Sequence, residues 1–74
     1  MIVYGGSFAF AAGDYAKSAY MAGKFREIVS LSVTTNEAEV TTSGIIASSN
    51  QITVGRRPIT KACTVFYMAC GYRA

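Results

Sequence analysis

The 74-residue sequence contains no histidine, and its only cysteines are Cys63 and Cys70. A structural zinc site needs about four Cys or His ligands, so one copy of this chain cannot form one. A hard-cation site needs clustered oxygen ligands, and of the acidic residues only Glu37 and Glu39 are close in sequence. Serine-based hydrolysis also requires a histidine that accepts the serine proton. We therefore expect no metal ion, no cofactor and no enzymatic activity.

The two cysteines are not expected to form a disulfide bond with each other. No Gly, Pro, Asn or Asp lies between Cys63 and Cys70, so no turn is indicated there. On one continuous strand they would be about 23 Å apart at ~3.3 Å per residue, whereas a disulfide requires Cα atoms within about 7 Å. Free cysteines favour assembly in a reducing, intracellular compartment.

Charged residues are scarce as well. They make up 15% of the chain, compared with roughly 25% in ordinary soluble domains. A domain of this size buries only about 60% of its unfolded surface, and it usually needs a disulfide, a metal or a partner for stability. Because the first two are not expected, we predict that the chain associates with other protein chains, as a homo-oligomer or in a larger assembly. No apolar run approaches the ~18 residues of a membrane-spanning helix, so no membrane span is expected.

No internal repeat or linker divides the sequence, and residues 1–74 are predicted to form a single domain. Residues 1–12 alternate large and small side chains around Phe8 and Phe10, which predicts an extended N-terminal arm. The pair Gly5-Gly6 predicts a bend or bulge within this arm.

A short helix is predicted over residues 14–23. Asp14 is a suitable N-cap residue, and Gly23 is a suitable stop. Tyr15 and Ala19 are spaced to lie on one helical face, together with Ala22. Such a helix has only about two turns and would need support from the rest of the fold.

Antiparallel strands are predicted over residues 25–70, where β-branched residues alternate with turn signals. The turn signals are Asn36-Glu37, Ser43-Gly44, Ser48-Ser49-Asn50 and Gly55-Arg56-Arg57-Pro58. Their spacing of about 8–12 residues is typical of a mainly β fold, namely a small antiparallel meander, sandwich or barrel.

The last predicted strand is apolar on both faces. Between Ala62 and Cys70 only Thr64 is neither apolar nor aromatic. A half-exposed antiparallel strand alternates apolar and polar residues, whereas a strand covered on both sides reads as continuous apolar sequence. The rest of the chain has enough large side chains to cover one face, so we predict that a second chain covers the other. The predicted interface residues are Phe8, Phe10, Phe66, Tyr67 and Met68.

One basic cluster stands out, formed by Arg56 and Arg57 at the predicted turn before Pro58 and by Lys61 just after it. On an exposed turn, these cations are candidate contacts for phosphates or other anions. Aromatic residues near the C-terminus could stack on the bases of a single strand. This combination is typical of a small β-barrel that binds nucleic acid.

The sequence therefore supports two hypotheses. The favoured one is a non-enzymatic structural subunit or accessory piece of a larger protein assembly, for example a decoration or minor structural protein of a virus particle. It follows from the low charge, the abundance of small residues and the apolar last strand; Ala, Ser, Thr and Gly account for 32 of the 74 residues. The alternative is a nucleic-acid-binding module that uses Arg56, Arg57 and Lys61.

Overall fold

The computed structural model describes residues 1–21 and 23–74, and within them it contains six β-strands and no helix. The strands are β1 (Ile2–Phe10), β2 (Ala16–Tyr20), β3 (Phe25–Thr35), β4 (Thr41–Ser48), β5 (Gln51–Arg57) and β6 (Cys63–Arg73). The prediction of a mainly β, antiparallel fold is therefore confirmed.

The strands form two three-stranded sheets that share one core. In sheet A the order is β1-β6-β3, and in sheet B it is β2-β5-β4; every neighbouring pair is antiparallel. The two central strands, β5 and β6, supply much of the buried surface, because each is flanked on both sides. The buried core residues are Phe10, Met21, Phe25, Ile28, Val40, Ile52, Val54, Cys63, Val65 and Ala69.

The predicted helix over residues 14–23 is wrong. Ala16–Tyr20 is strand β2, which pairs with β5, so each residue of this short segment gains a ladder partner that a two-turn helix would lack. The two flanking glycines do mark chain reversals, with φ angles of 97° at Gly13 and 80° at Gly23. Ala22 belonged to the predicted helix and lies outside the described residues.

Asp14 closes a turn rather than a helix. Its backbone N–H donates to the Ala11 carbonyl at 3.0 Å, and its carboxylate accepts the Ala11 N–H, also at 3.0 Å. An Asp side chain that bonds the backbone of a tight turn competes with helix formation, which explains why a good N-cap residue starts no helix here.

The predicted N-terminal arm is extended, but it is part of the fold. Strand β1 pairs with β6 at every position from Ile2 opposite Gly71 to Phe10 opposite Cys63. The register is unbroken through Gly5 and Gly6, so the bend or bulge predicted there is wrong.

The predicted turn at Ser43-Gly44 is also wrong, since β4 continues through it. Gly44 lies opposite Val54, on the core side of sheet B. A Cβ atom at Gly44 would lie 2.6 Å from a methyl group of Val33 and 2.9 Å from one of Leu31. Glycine is required at this position because strands β3 and β4 approach each other so closely, and not because the chain turns.

Candidate functional site

The main candidate site is the side of sheet A that faces away from the core. Residues directly opposite each other in an antiparallel pair point to the same face of the sheet. On β6 the core side carries Val65 and Ala69, both fully buried. The alternate residues of β6 point outward: Thr64, Phe66, Met68, Cys70 and Tyr72. We call this side the outer face of sheet A.

Large apolar side chains of this face are exposed to solvent. Phe66 is 45% exposed, Met68 is 55% exposed and Tyr72 is 41% exposed, although they belong to the central strand of the sheet. Val3 lies opposite Cys70 and continues the apolar surface onto β1, where it is 60% exposed. A contiguous exposed apolar patch of this kind marks an interaction surface more often than an isolated exposed side chain does.

Small uncharged residues flank this apolar row on both sides. Phe66 and Met68 lie opposite small residues of both neighbouring strands: Gly5, Ser7, Ser32 and Thr34. The two side chains therefore form a ridge between two shallow grooves. No Asp, Glu, Lys or Arg lies on the outer face where Phe66 and Met68 are paired, so a partner could cover it without burying a charge.

The five predicted interface residues separate into two groups. Phe66 and Met68 lie on the outer face of sheet A, as described above. Phe8, Phe10 and Tyr67 belong to the core side: the Phe8 and Tyr67 rings stack at 5.4 Å, and the Phe8 and Phe10 rings meet edge-on at 6.4 Å. Burial raises the pKa of Tyr67 above its usual value of 10.0, and the neighbouring Tyr4 adds to this increase.

Sequence reasoning missed Val3 and Tyr72 as members of the outer face. A signal was present in β3, where Leu31 and Val33 alternate with Ser30 and Ser32. Ser30 and Ser32 give β3 one polar side. In the pairing of β3 with β6, Ser32 lies opposite Met68, so this polar side belongs to the outer face of sheet A.

Arg56 does not lie on an exposed turn. It belongs to β5, on the same core-facing side as Ile52 and Val54, and is only 1% exposed. Its five N–H groups all have acceptors: the carbonyls of Ala11, Asp14, Ile59 and Lys61, and the Cys63 sulfur. The Asp14 and Ala11 bonds measure 2.8 and 2.7 Å. Arg56 therefore joins the loop after β1 to the loop before β6, and its guanidinium lies 5.5 Å from the centre of the Phe10 ring.

The other two residues of the predicted basic cluster are exposed and separate. Arg57 lies against the Tyr15 ring, with its guanidinium carbon 5.5 Å from the ring centre and one N–H donating to the Tyr15 hydroxyl at 3.3 Å. Lys61 forms an ion pair with Glu39 at 2.6 Å. The structure thus leaves Arg57 as the member of the cluster with most of its donors open to an anion.

A shallow cleft of about 270 Å³ lies beside Arg57 on sheet B. Its lining residues are Tyr15, Thr41, Thr42, Ser43, Arg56 and Arg57. The Thr41 hydroxyl donates to the Arg57 carbonyl at 3.3 Å, so part of its polar lining is engaged within the protein.

Both cysteines are free thiols, with Cys63 buried and Cys70 half-buried. Within residues 1–21 and 23–74, no group of three His, Cys, Asp or Glu side chains is arranged to hold a metal ion. The same part of the chain has no helix that is long and apolar enough to cross a membrane.

Comparison of the chain with protein-family models, with curated proteins and with solved structures found no match in any of the three.

Proposed function

We propose that this chain is a non-enzymatic subunit of a larger protein assembly, in which the outer face of sheet A packs against another copy of the chain. The observation that supports the proposal is the exposed ridge of Phe66 and Met68 on the central strand of a sheet. On the other side of the same strand, Val65 and Ala69 are fully buried. One side of β6 is therefore covered by the chain itself, and the other is left for a partner.

The energetics favour covering this ridge. Each large apolar side chain gains about 1.5–3 kcal/mol when it moves from full exposure to burial. Phe66 and Met68 are already about half covered, so each has roughly 1 kcal/mol left to gain. The flanking residues carry no charge to bury, and the hydroxyls of Ser7 and Ser32 need hydrogen-bond partners when they are covered. A shape of one ridge and two grooves also fits a second copy, whose ridge can lie in a groove of the first.

The size of the face sets a limit on what it does alone. Three strands about 4.8 Å apart, over seven residues of ~3.3 Å each, give a patch of roughly 330 Å². A stable interface usually buries about 800 Å² on each partner. Contact through the outer face of one sheet would therefore be weak by itself, and a lasting assembly requires either many copies or a second contact.

The proposal is tested by substituting Phe66→Ser and measuring association by sedimentation equilibrium over a wide concentration range. The wild-type chain should associate, and Phe66→Ser should weaken that association by about tenfold for each ~1.4 kcal/mol of lost burial. Ile45→Ser is the matched control, because Ile45 is 63% exposed but lies on sheet B. A wild-type chain that remains monomeric up to millimolar concentration, or equal effects of the two substitutions, would contradict the proposal.

The alternative hypothesis of nucleic-acid binding has narrower support, since Arg56 is buried and Lys61 is paired with Glu39. It now depends mainly on Arg57 beside Tyr15. Salt-dependent binding of a single-stranded oligonucleotide that is lost in Arg57→Gln would favour this alternative over the assembly hypothesis.

A further inference from the structure

Strand β1 is an edge of sheet A that pairs with β6 on one side and, among the described residues, with no strand on the other. We infer that a second copy of this chain joins sheet A along β1, antiparallel and around a two-fold axis at Gly6. This inference rests on the proposed function, since it supplies the second contact that a stable assembly requires.

Comparison of the four sheet edges singles out β1. The edges β3 and β4 adjoin each other, and the Thr42 hydroxyl of β4 donates to the Val33 carbonyl of β3 at 3.3 Å. The edge β2 has only five residues and carries Lys17. The edge β1 has nine residues and is the longest open edge in the described part of the chain.

Strand β1 also lacks the features that keep edge strands apart. Monomeric sheet proteins protect their edges with charged residues, especially Lys, with Pro, with bulges or with short strands. The sequence of β1, IVYGGSFAF, contains no charged residue and no proline, and its register with β6 has no bulge. Its unpaired backbone groups can therefore accept another strand along the full length of β1.

A second copy of β1 can pair antiparallel with this edge along its whole length. In an antiparallel pair of identical nine-residue strands, all nine positions overlap only when Gly6 lies opposite itself. Nine paired positions supply about eight to ten backbone hydrogen bonds, because every second pair exchanges two. In this register Val3 lies opposite Ala9, and Gly5 lies opposite Ser7, so no bulky residues oppose each other on the outer face.

Edge pairing would also enlarge the apolar face. Two copies joined along β1 form one six-stranded sheet, and their outer faces become one surface of roughly 660 Å². This approaches the ~800 Å² per partner of a stable interface. Two different self-complementary contacts on one chain, the β1 edge and the outer face of sheet A, are sufficient to build an assembly larger than a dimer.

The register is tested by cysteine cross-linking with Val3→Cys and Ala9→Cys in one chain. Because Cys70 lies opposite Val3 within the same chain, the background carries Cys70→Ser. Mild oxidation of this double variant should convert most of the protein to a covalent dimer on a non-reducing gel. Each single cysteine variant should remain uncross-linked, because the two copies of position 3, or of position 9, would be about 20 Å apart at ~3.3 Å per residue. Mixing the two single variants should restore the dimer.

The outcomes separate this inference from the proposed function. Suppose that the wild-type chain associates and that Phe66→Ser weakens this association, but that the double variant gives no more covalent dimer than the single variants. The β1 pairing is then overturned, and the contact through the outer face stands. If the wild-type chain is monomeric at all concentrations, both are overturned. Cross-linking that requires both cysteines, in the double variant and in the mixture, supports the β1 pairing.

Discussion

Replacement of Arg56 by methionine should be among the most destabilising single substitutions in this protein. Methionine fills part of the same volume, but it donates no hydrogen bonds. The five guanidinium N–H groups bond four backbone carbonyls and one sulfur, and the side chain is 1% exposed. The substitution therefore leaves the carbonyls of Asp14 and Lys61 without a donor among the described residues, whereas the Ala11 and Ile59 carbonyls still accept backbone N–H groups.

The size of the effect follows from those carbonyls. A buried polar group without a partner costs about 1–3 kcal/mol, and water can reach several of these partly buried loop carbonyls, so the lower value applies. The two carbonyls that lose their only donor, those of Asp14 and Lys61, then give a loss of about 2 kcal/mol in the free energy of unfolding. A chain of 74 residues has a total stability of roughly 4–11 kcal/mol at ~0.05–0.15 kcal/mol per residue. Arg56→Met should thus remove between about a fifth and a half of the stability.

The assay is urea unfolding followed by circular dichroism, at a protein concentration low enough to limit association. Arg57→Met is the matched control, since Arg57 is exposed and, among the described residues, its one side-chain hydrogen bond is to the Tyr15 hydroxyl. It should cost under about 0.5 kcal/mol. Arg56→Lys should be nearly as harmful as Arg56→Met, because three donors on one nitrogen cannot reach both loops. A loss below about 1 kcal/mol in Arg56→Met would refute the assignment of a structural role.

Three further predictions follow from the two sheets. The pKa of Tyr67 is raised in the fold, so above about pH 10 the tyrosine ionises first in the unfolded chain, and the free energy of unfolding falls as the pH rises. Tyr67→Phe should therefore lose less stability than the wild type between neutral and alkaline pH. Equal alkaline unfolding of the variant and the wild type would contradict this. Gly44→Val should cost about 1–3 kcal/mol in urea unfolding, since its side chain would overlap that of Val33; unchanged stability would show that the sheets separate easily. Val3→Lys with Ala9→Lys should weaken association by bringing like charges together across β1, and Val3→Lys with Ala9→Glu should restore it in sedimentation; equal behaviour of the two pairs would argue against the register.

The β-rich fold and the two faces of β6 could be predicted from sequence, because β6 is long and its pattern is nearly uniform. Residues two apart on a strand always share a face, so Val65 and Ala69 lie on one face of β6 and Phe66 and Met68 on the other. Which of the two faces is covered by the chain itself depends on the side on which sheet B packs, and that is a tertiary property.

The helix prediction failed because the segment is too short for its period to be determined. A spacing of four residues, as between Tyr15 and Ala19, fits both a helical period of 3.6 and a strand period of two. Pairing with β5 then decided the outcome. Gly23 was predicted to end a helix, and it lies in the turn after β2 instead, because glycine marks the end of a strand as readily as the end of a helix.

The burial of Arg56 was missed because a pair of arginines before proline is typical of an exposed turn. The alternation of buried and exposed residues along β5 predicts the position of Arg56 better than the turn signal does. Ile52 and Val54 are both fully buried, and Arg56 is the next residue of the same parity, whereas Thr53 and Arg57 belong to the other side. Continuing that alternation by one step would have placed Arg56 in the core and Arg57 in solvent.

Hydroxyl-radical footprinting of the wild-type chain across a concentration series measures directly whether copies of the chain bury the outer face of sheet A. Phe66 and Met68 are half exposed in the single chain, and Tyr20, on sheet B, is 74% exposed. We expect Phe66 and Met68 to lose reactivity as the chain associates, while Tyr20 remains reactive. Association with Phe66 and Met68 still fully reactive would contradict this expectation.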